Sequence, residues 1–187
     1  MFSERDPLKI KNALYHIGGN DMSFVKDKKI GKIGEAIVEK LIREVFNMNL
    51  IDVSEDSYWQ QFDVDFLVDD IQVEVKTDTS TTPNIFFETV SNKSRGTKGC
   101  MLITTADILY YVHTGHEIIF TIPVDIYRLW VMDNQSSMRT VSVRTSNAEG
   151  ILVPIKRLLN EIETVSVMTL DYKPLTTEQT LKIIGVN

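Results

Sequence analysis

Cysteine is almost absent from this 187-residue chain: Cys100 stands alone. A lone cysteine excludes an internal disulfide framework and any zinc or iron–sulfur site built from several thiolates. It also fits a reducing compartment. Histidine is nearly as scarce, and His16, His113 and His116 are too scattered for a histidine-rich metal cage. No window approaches the roughly 18 consecutive apolar residues of a membrane span, so no membrane partner is expected. The charged start Met1-Phe2-Ser3-Glu4-Arg5-Asp6 does not read as a signal peptide. Basic residues are in the minority, 20 against 26 acidic ones, for a net charge of −6. That balance argues against a protein that coats nucleic acid nonspecifically. It leaves room for a nucleic-acid enzyme, since a metal site adds carboxylates and local basic patches still hold phosphates.

What is present suffices for a core, because 43% of the residues are apolar and no staple is required. The length suits one α/β domain over 1–187, with a core at about 24–131 and a C-terminal extension at about 132–187. A short helical stretch at Leu8–Tyr15 and the turn signal Gly18-Gly19-Asn20-Asp21 open the chain. From Lys32 to Phe46, Ile33, Ile37, Leu41 and Val45 fall four apart beside Val38 and Ile42, which predicts one helix with an apolar stripe. Phe62–Val68 and Ile71–Thr77 alternate as strands around the two-residue turn Asp69-Asp70. A short strand is expected at Asn84–Glu88, a buried strand at Cys100–Ile103, and a helix start at Thr104–Asp107 leading into Ile108–Val112. Glu117–Ile122 reads as a strand and Val124–Trp130 as a helix. Val141–Arg144 and Val165–Leu170 read as strands, and Ile151–Leu159 as a strand or helix start.

The hairpin concentrates chemistry. A two-residue turn makes Val68 oppose Ile71, and counting back sets Asp65 across from Glu74 and Asp63 across from Lys76. Period-2 alternation puts these four on one face and Phe62, Val64, Phe66, Val73 and Val75 on the other. Two carboxylates directly opposite one another repel, and a divalent cation between them would remove that penalty. Oxygen ligands without nearby His or Cys suit Mg²⁺ or Mn²⁺. A solvated face with an Asp63–Lys76 surface pair is the plainer alternative. Glu35 sits near the expected helix start, at the edge of the stripe, where it could equally complement the helix dipole. Gly31 and Gly34 bracket it and permit close approach of a backbone or a phosphate.

Gly34-Glu35 opening a helix, Asp65 on a strand and Glu74-Val75-Lys76 on the next together resemble the PD-(D/E)xK nuclease superfamily. The resemblance covers residues 31 to about 112, with Val64 standing where a proline often precedes the aspartate. It implies a restriction-endonuclease-like core, a mixed central sheet flanked by helices, and hydrolysis of phosphodiesters with Mg²⁺ or Mn²⁺. Carried over by position, Asp65 and Glu74 are metal ligands, the Val75 carbonyl completes the site, and Glu35 is an additional ligand. Lys76 orients or helps deprotonate the attacking water. Asp63 is a further candidate that holds Lys76.

The expected substrate is DNA, in structured or branched form, as in recombination, repair or the DNA processing of a phage or mobile element. The expected location is the cytoplasm of a bacterial cell, or of a host cell for a viral chain. Lys93, Arg95 and Lys98 in the loop Asn92–Gly99, with Lys29 and Lys32 ahead of Glu35, are the candidate phosphate contacts. Residues 132–187 have two uses open to them, a homodimer surface or an additional substrate wall. The rival in another class is a nuclease-fold protein that binds nucleic acid or a protein partner without cleaving.

Overall fold

The computed structural model describes residues 23–143 and 147–186. The expectations for Leu8–Tyr15 and Gly18–Asp21 lie outside them, as does His16. Helix α1 spans Ser23–Lys40 and continues as a wider π turn over Leu41–Val45, where the Phe46 N–H reaches back to the Leu41 carbonyl. It therefore starts nine residues before Lys32, where the apolar pattern placed the helix start. Periodicity detects only the buried face, and the polar opening turns have no such face to show. The stripe itself is where it was expected, with Ile37, Val38, Leu41 and Ile42 all buried.

Strands β1 (Ile51–Asp52), β2 (Phe66–Val68) and β3 (Ile71–Asp78) pair antiparallel in sequence. Val68 faces Ile71 and Phe66 faces Val73, the expected register. Asp69, with φ of 53°, turns the chain between the two strands. β2 is shorter than the alternation suggested. A short helix α2 (Ser57–Gln60) precedes it, and the Asp63 and Val64 N–H groups bond back to Gln60 and Trp59. With Asp63 at φ 46°, the chain turns there instead of extending, so Asp63 never pairs across from Lys76. The Asp65 N–H bonds to the Val73 carbonyl, so Asp65 and Phe66 both address Val73, as in a β-bulge, and Asp65 is not paired directly across from Glu74 as the count predicted.

Beyond β3 come β4 (Asn84–Asn92), β5 (Thr97–Lys98), a short helix α3 (Cys100–Ile103) and β6 (Ile108–His113). The expected strand at Cys100–Ile103 is thus a helix, and the expected helix at Ile108–Val112 is a strand. A short unbroken apolar run carries no period, and β6 is buried on both faces. The supposed capping pair has other partners: Thr104 Oγ1 donates to the Asp63 carbonyl, and Asp107 accepts from the Gln72 N–H.

The chain continues through β7 (Ile118–Pro123), α4 (Val124–Asn134), β8 (Arg139–Val143), β9 (Ala148–Pro154), α5 (Ile155–Glu161), β10 (Ser166–Thr169), β11 (Pro174–Leu175) and α6 (Thr177–Ile183). A seven-stranded sheet runs β1-β2-β3-β6-β7-β10-β11, mixed because β3 and β6 are parallel. A four-stranded sheet runs β5-β4-β9-β8. Residues 132–187, expected as an extension, are woven into both sheets. α1 covers one face of the central sheet through Val73, Val75, Tyr110, Val112 and Ile119. On the other face Leu109, Tyr111, Phe120 and Ile122 pack with Ile85, Phe87 and Val153 of the second sheet and with Tyr127 and Leu158 of the helices. Each such fully buried side chain contributes about 1.5–3 kcal/mol.

Candidate functional site

β2 stops at Phe66 while β3 runs on to Asp78, so the second half of β3 lacks a neighbour on that side. The notch opens into a cleft of about 700 Å³. Gly31 and Glu35 of α1 line it, with Gln60, Asp63 and Asp65 from the turn before β2, Glu74 to Thr79 from β3, and Val143 from the end of β8.

Val73 and Val75 face α1, so Glu74 and Lys76 face the second sheet. The fold covers Glu74 almost completely, at 3% exposure. Its carboxylate contacts the Lys76 ammonium. Burial pushes the Glu74 carboxyl well above the usual carboxylate range against the pull of Lys76, and the neighbouring Asp65 and Asp63 push the same way. Burial likewise opposes the charge on Lys76, yet Glu74 and Asp63 outweigh it and hold the ammonium well above the ordinary lysine value. Asp65 Oδ2 accepts the Val75 N–H at 2.8 Å. Burial raises Asp65 too, and Glu35 adds to the rise, while the Val75 N–H and Lys76 counteract it. A residue in an extended strand points its N–H and C=O to one side, so the Val75 carbonyl also faces the notch.

Glu35 sits mid-helix rather than at a helix start, which removes the helix-dipole explanation. Its side chain is 16% exposed and accepts from Lys32 Nζ at 2.7 Å. Gly34 explains how closely α1 approaches, since a Cβ there would stand 1.9 Å from Thr77 Oγ1. At Gly31 the space is open, with Glu35 Oε1 4.0 Å from where a Cβ would sit.

The expected ligands Asp65, Glu74, Val75 and Glu35 therefore share one cleft with Lys76 and Asp63. Among the described residues, no three His, Cys, Asp or Glu side chains gather as a ready metal cage. Asp65, Glu74 and Val75 line the cleft together and offer two carboxylates and a carbonyl. Mg²⁺ keeps several waters and is commonly held by only one or two protein carboxylates, so this donor set fits it.

The cationic loop stands apart. Lys93 is paired with Glu149 and Ser142, while the side-chain cations of Arg95 and Lys98 have no partner among the described residues. Gly96, at φ 64°, closes the loop, and the Lys93 N–H donates to the Asn147 carbonyl. That bond ties the loop to the β8–β9 hairpin, whose Val143 reaches the cleft. Lys29 is exposed. Lys32 is engaged with Glu35, Ser54 and Glu55. His113 is buried, with Nε2 3.1 Å from the Thr82 carbonyl, and does not line the cleft. Gln60 and Ser54 went unsuspected. Nothing local marks Gln60, whereas Asp52-x-Ser54 carries the spacing of the Asx-turn it forms.

The chain matches no protein-family model, no curated protein and no solved structure. Among the described residues no helix is long and apolar enough to cross a membrane.

Proposed function

We propose that this chain is a Mg²⁺- or Mn²⁺-dependent nuclease of the PD-(D/E)xK kind, with a restriction-endonuclease-like core, that hydrolyses phosphodiester bonds in DNA. The observation that carries this reading is the buried Glu74 carboxylate beside Asp65 and Lys76 in an open cleft. Desolvating an ion costs several kcal/mol even after relaxation. Buried groups shifted by burial and by one another at a cleft are candidates for chemistry.

Asp65, Glu74 and the Val75 carbonyl would hold the cation, with Glu35 as an additional ligand across the cleft. When bound, the cation supplies a Lewis acid for the phosphoryl oxygen and charge to match the nucleophile. The chain's own part is positioning. The Val75 N–H fixes the Asp65 carboxylate, and the β3 backbone fixes Glu74. Lys76, which lines the cleft, orients the attacking water and offsets charge developing on the phosphoryl oxygens. Asp63 lines the same cleft without an ion pair to Lys76, and its charge favours the ammonium. Arg95 and Lys98 contact DNA backbone, which positions without reading sequence. That favours recognition by DNA shape, and a structure-directed endonuclease acting on branched DNA.

The test is incubation with Mg²⁺ or Mn²⁺ and linear duplex, single-stranded and branched DNA. Branched DNA should be cut fastest, EDTA should abolish cutting, and Asp65→Asn should lose it. If neither DNA nor RNA is cut with either metal, the chain is a non-cleaving binder of nucleic acid or of a protein.

A further inference from the structure

Lys32 is one turn from Glu35 on α1, and its ammonium has three N–H bonds to place. Two find acceptors, Glu35 Oε2 at 2.7 Å and Ser54 Oγ at 2.8 Å, and the exposed Glu55 carboxylate stands 3.2 Å away as an ion pair. Ser54 is itself buried and committed. Its hydroxyl donates to Asp52 Oδ1 at 2.6 Å, and a carboxylate only accepts, so the Ser54 lone pairs are left for Lys32. The Ser54 carbonyl accepts from Gln60 Nε2, and Gln60 lines the cleft. One residue back, the Val53 N–H donates to the Asp65 carbonyl at 2.9 Å. The segment that Lys32 grips is therefore the one that supports Asp65 from behind.

We infer that Lys32 is a positioning residue. It ties Glu35 on α1 to the Asp52–Glu55 segment and so sets the spacing between Glu35 and Asp65 across the cleft. It is not a phosphate contact, because its ammonium is already engaged by Glu35, Ser54 and Glu55 inside the protein. The inference rests on the nuclease reading above, since it concerns the same cleft.

The two roles predict opposite signs. A cation beside a metal site repels the metal, so removing a bare positive charge should tighten metal binding. Removing a residue that orients ligands should weaken it, by about tenfold at the lower end of the usual range for such outer partners. Mn²⁺ affinity, measured by calorimetry on DNA-free protein, should fall by that factor in Lys32→Met. Ser54→Ala keeps the charge but loses the tether, and should move the affinity the same way by a smaller factor. The salt dependence of duplex binding in Ca²⁺ should keep its slope in both variants. A slope lowered by roughly 0.9 in Lys32→Met, with Mn²⁺ affinity unchanged or tighter, would overturn the inference while leaving the nuclease reading intact. An unchanged affinity in Ser54→Ala would overturn it too, and that variant decides the matter should Lys32→Met fold poorly. If the wild type neither binds Mn²⁺ nor cuts DNA, the nuclease reading falls and this inference with it.

Discussion

In the cleft, Glu74 is enclosed by the fold and shares its neighbourhood with Asp65, Asp63 and Lys76. At the β4–β5 loop, the side-chain cations of Arg95 and Lys98 stand in solvent without partners among the described residues, and Lys93 leans on Glu149. Both regions are dense in charge, and both were marked in the sequence. Exposed charges cost little and exposed pairs contribute about 0–1 kcal/mol, so the loop's cations say only that binding is permitted there. Desolvated charges are costly, so the cleft's carboxylates need compensation that Lys76 alone supplies incompletely. The cleft is where chemistry is expected and the loop where affinity is expected.

The sharpest way to break that division is Lys76→Ala. A group that acts on the attacking water should take with it roughly 10²–10⁴-fold of the cleavage rate. Affinity for uncut DNA in Ca²⁺ should stay within a few-fold of wild type, because the interaction is made chiefly in the transition state. Lys76→Arg should not restore cutting, since a planar guanidinium does not reproduce a compact ammonium. Single-turnover cleavage that survives in Lys76→Ala would remove Lys76 from the chemistry.

The next largest effect is thermal. At about 100 times its Kd, Mg²⁺ or Mn²⁺ should stabilise the folded state by about 2.7 kcal/mol. For a domain of this size that is a rise in Tm of roughly 5–10 °C, and Asp65→Asn should lose most of it. Without metal, pH should act in a defined direction. Burial raises the Glu74 and Asp65 carboxyls, so the folded state holds their protons more tightly than the unfolded chain does. Their contribution is therefore fully favourable below the ordinary carboxylate range and is lost as pH rises through their raised values. Relative to Glu74→Gln, the metal-free wild type should lose stability on that climb, and Mg²⁺ should flatten the difference. A metal-free wild type that gains on the variant as pH rises would contradict the buried, unrelieved carboxylate.

The smallest effect belongs to the loop. Neutralising Lys93, Arg95 and Lys98 together should lower the log–log salt slope of duplex binding by about 1.8, at roughly 0.9 for each free cation. Three full contacts would lower it by about 2.7, but Lys93 is already paired with Glu149. An unchanged slope would move the DNA path away from this loop.

Much of this was legible because it is local. The two-residue turn at Asp69-Asp70 dictates the register of β2 and β3. The stripe from Ile33 to Ile42 declares α1, and Val124 after Pro123 opens α4 as expected. What was misread depended on distant partners. Residues 108–112 form a strand because β3 and β7 flank them in the sheet and layers cover both faces, while Thr104 and Asp107 bond to Asp63 and Gln72 instead of capping a helix. Lys32 looked like a free cation in the sequence, and only the packed loop at Ser54 shows where its protons go.

By itself the sequence determined which residues alternate, which turn joins them and that Glu74 and Lys76 share the polar face of β3, because covalent geometry and a period of two leave little choice. Only the tertiary structure decided that this face would be roofed. The roofing sheet joins residues 84–98 to residues 139–143 and 148–154, and the latter lie far beyond the hairpin in the chain; ionisable groups feel what is packed over them, not what precedes them. A row of charges that could have been a solvated edge became a buried carboxylate, a lysine and a cleft because a second sheet closed over one side and β2 stopped short on the other.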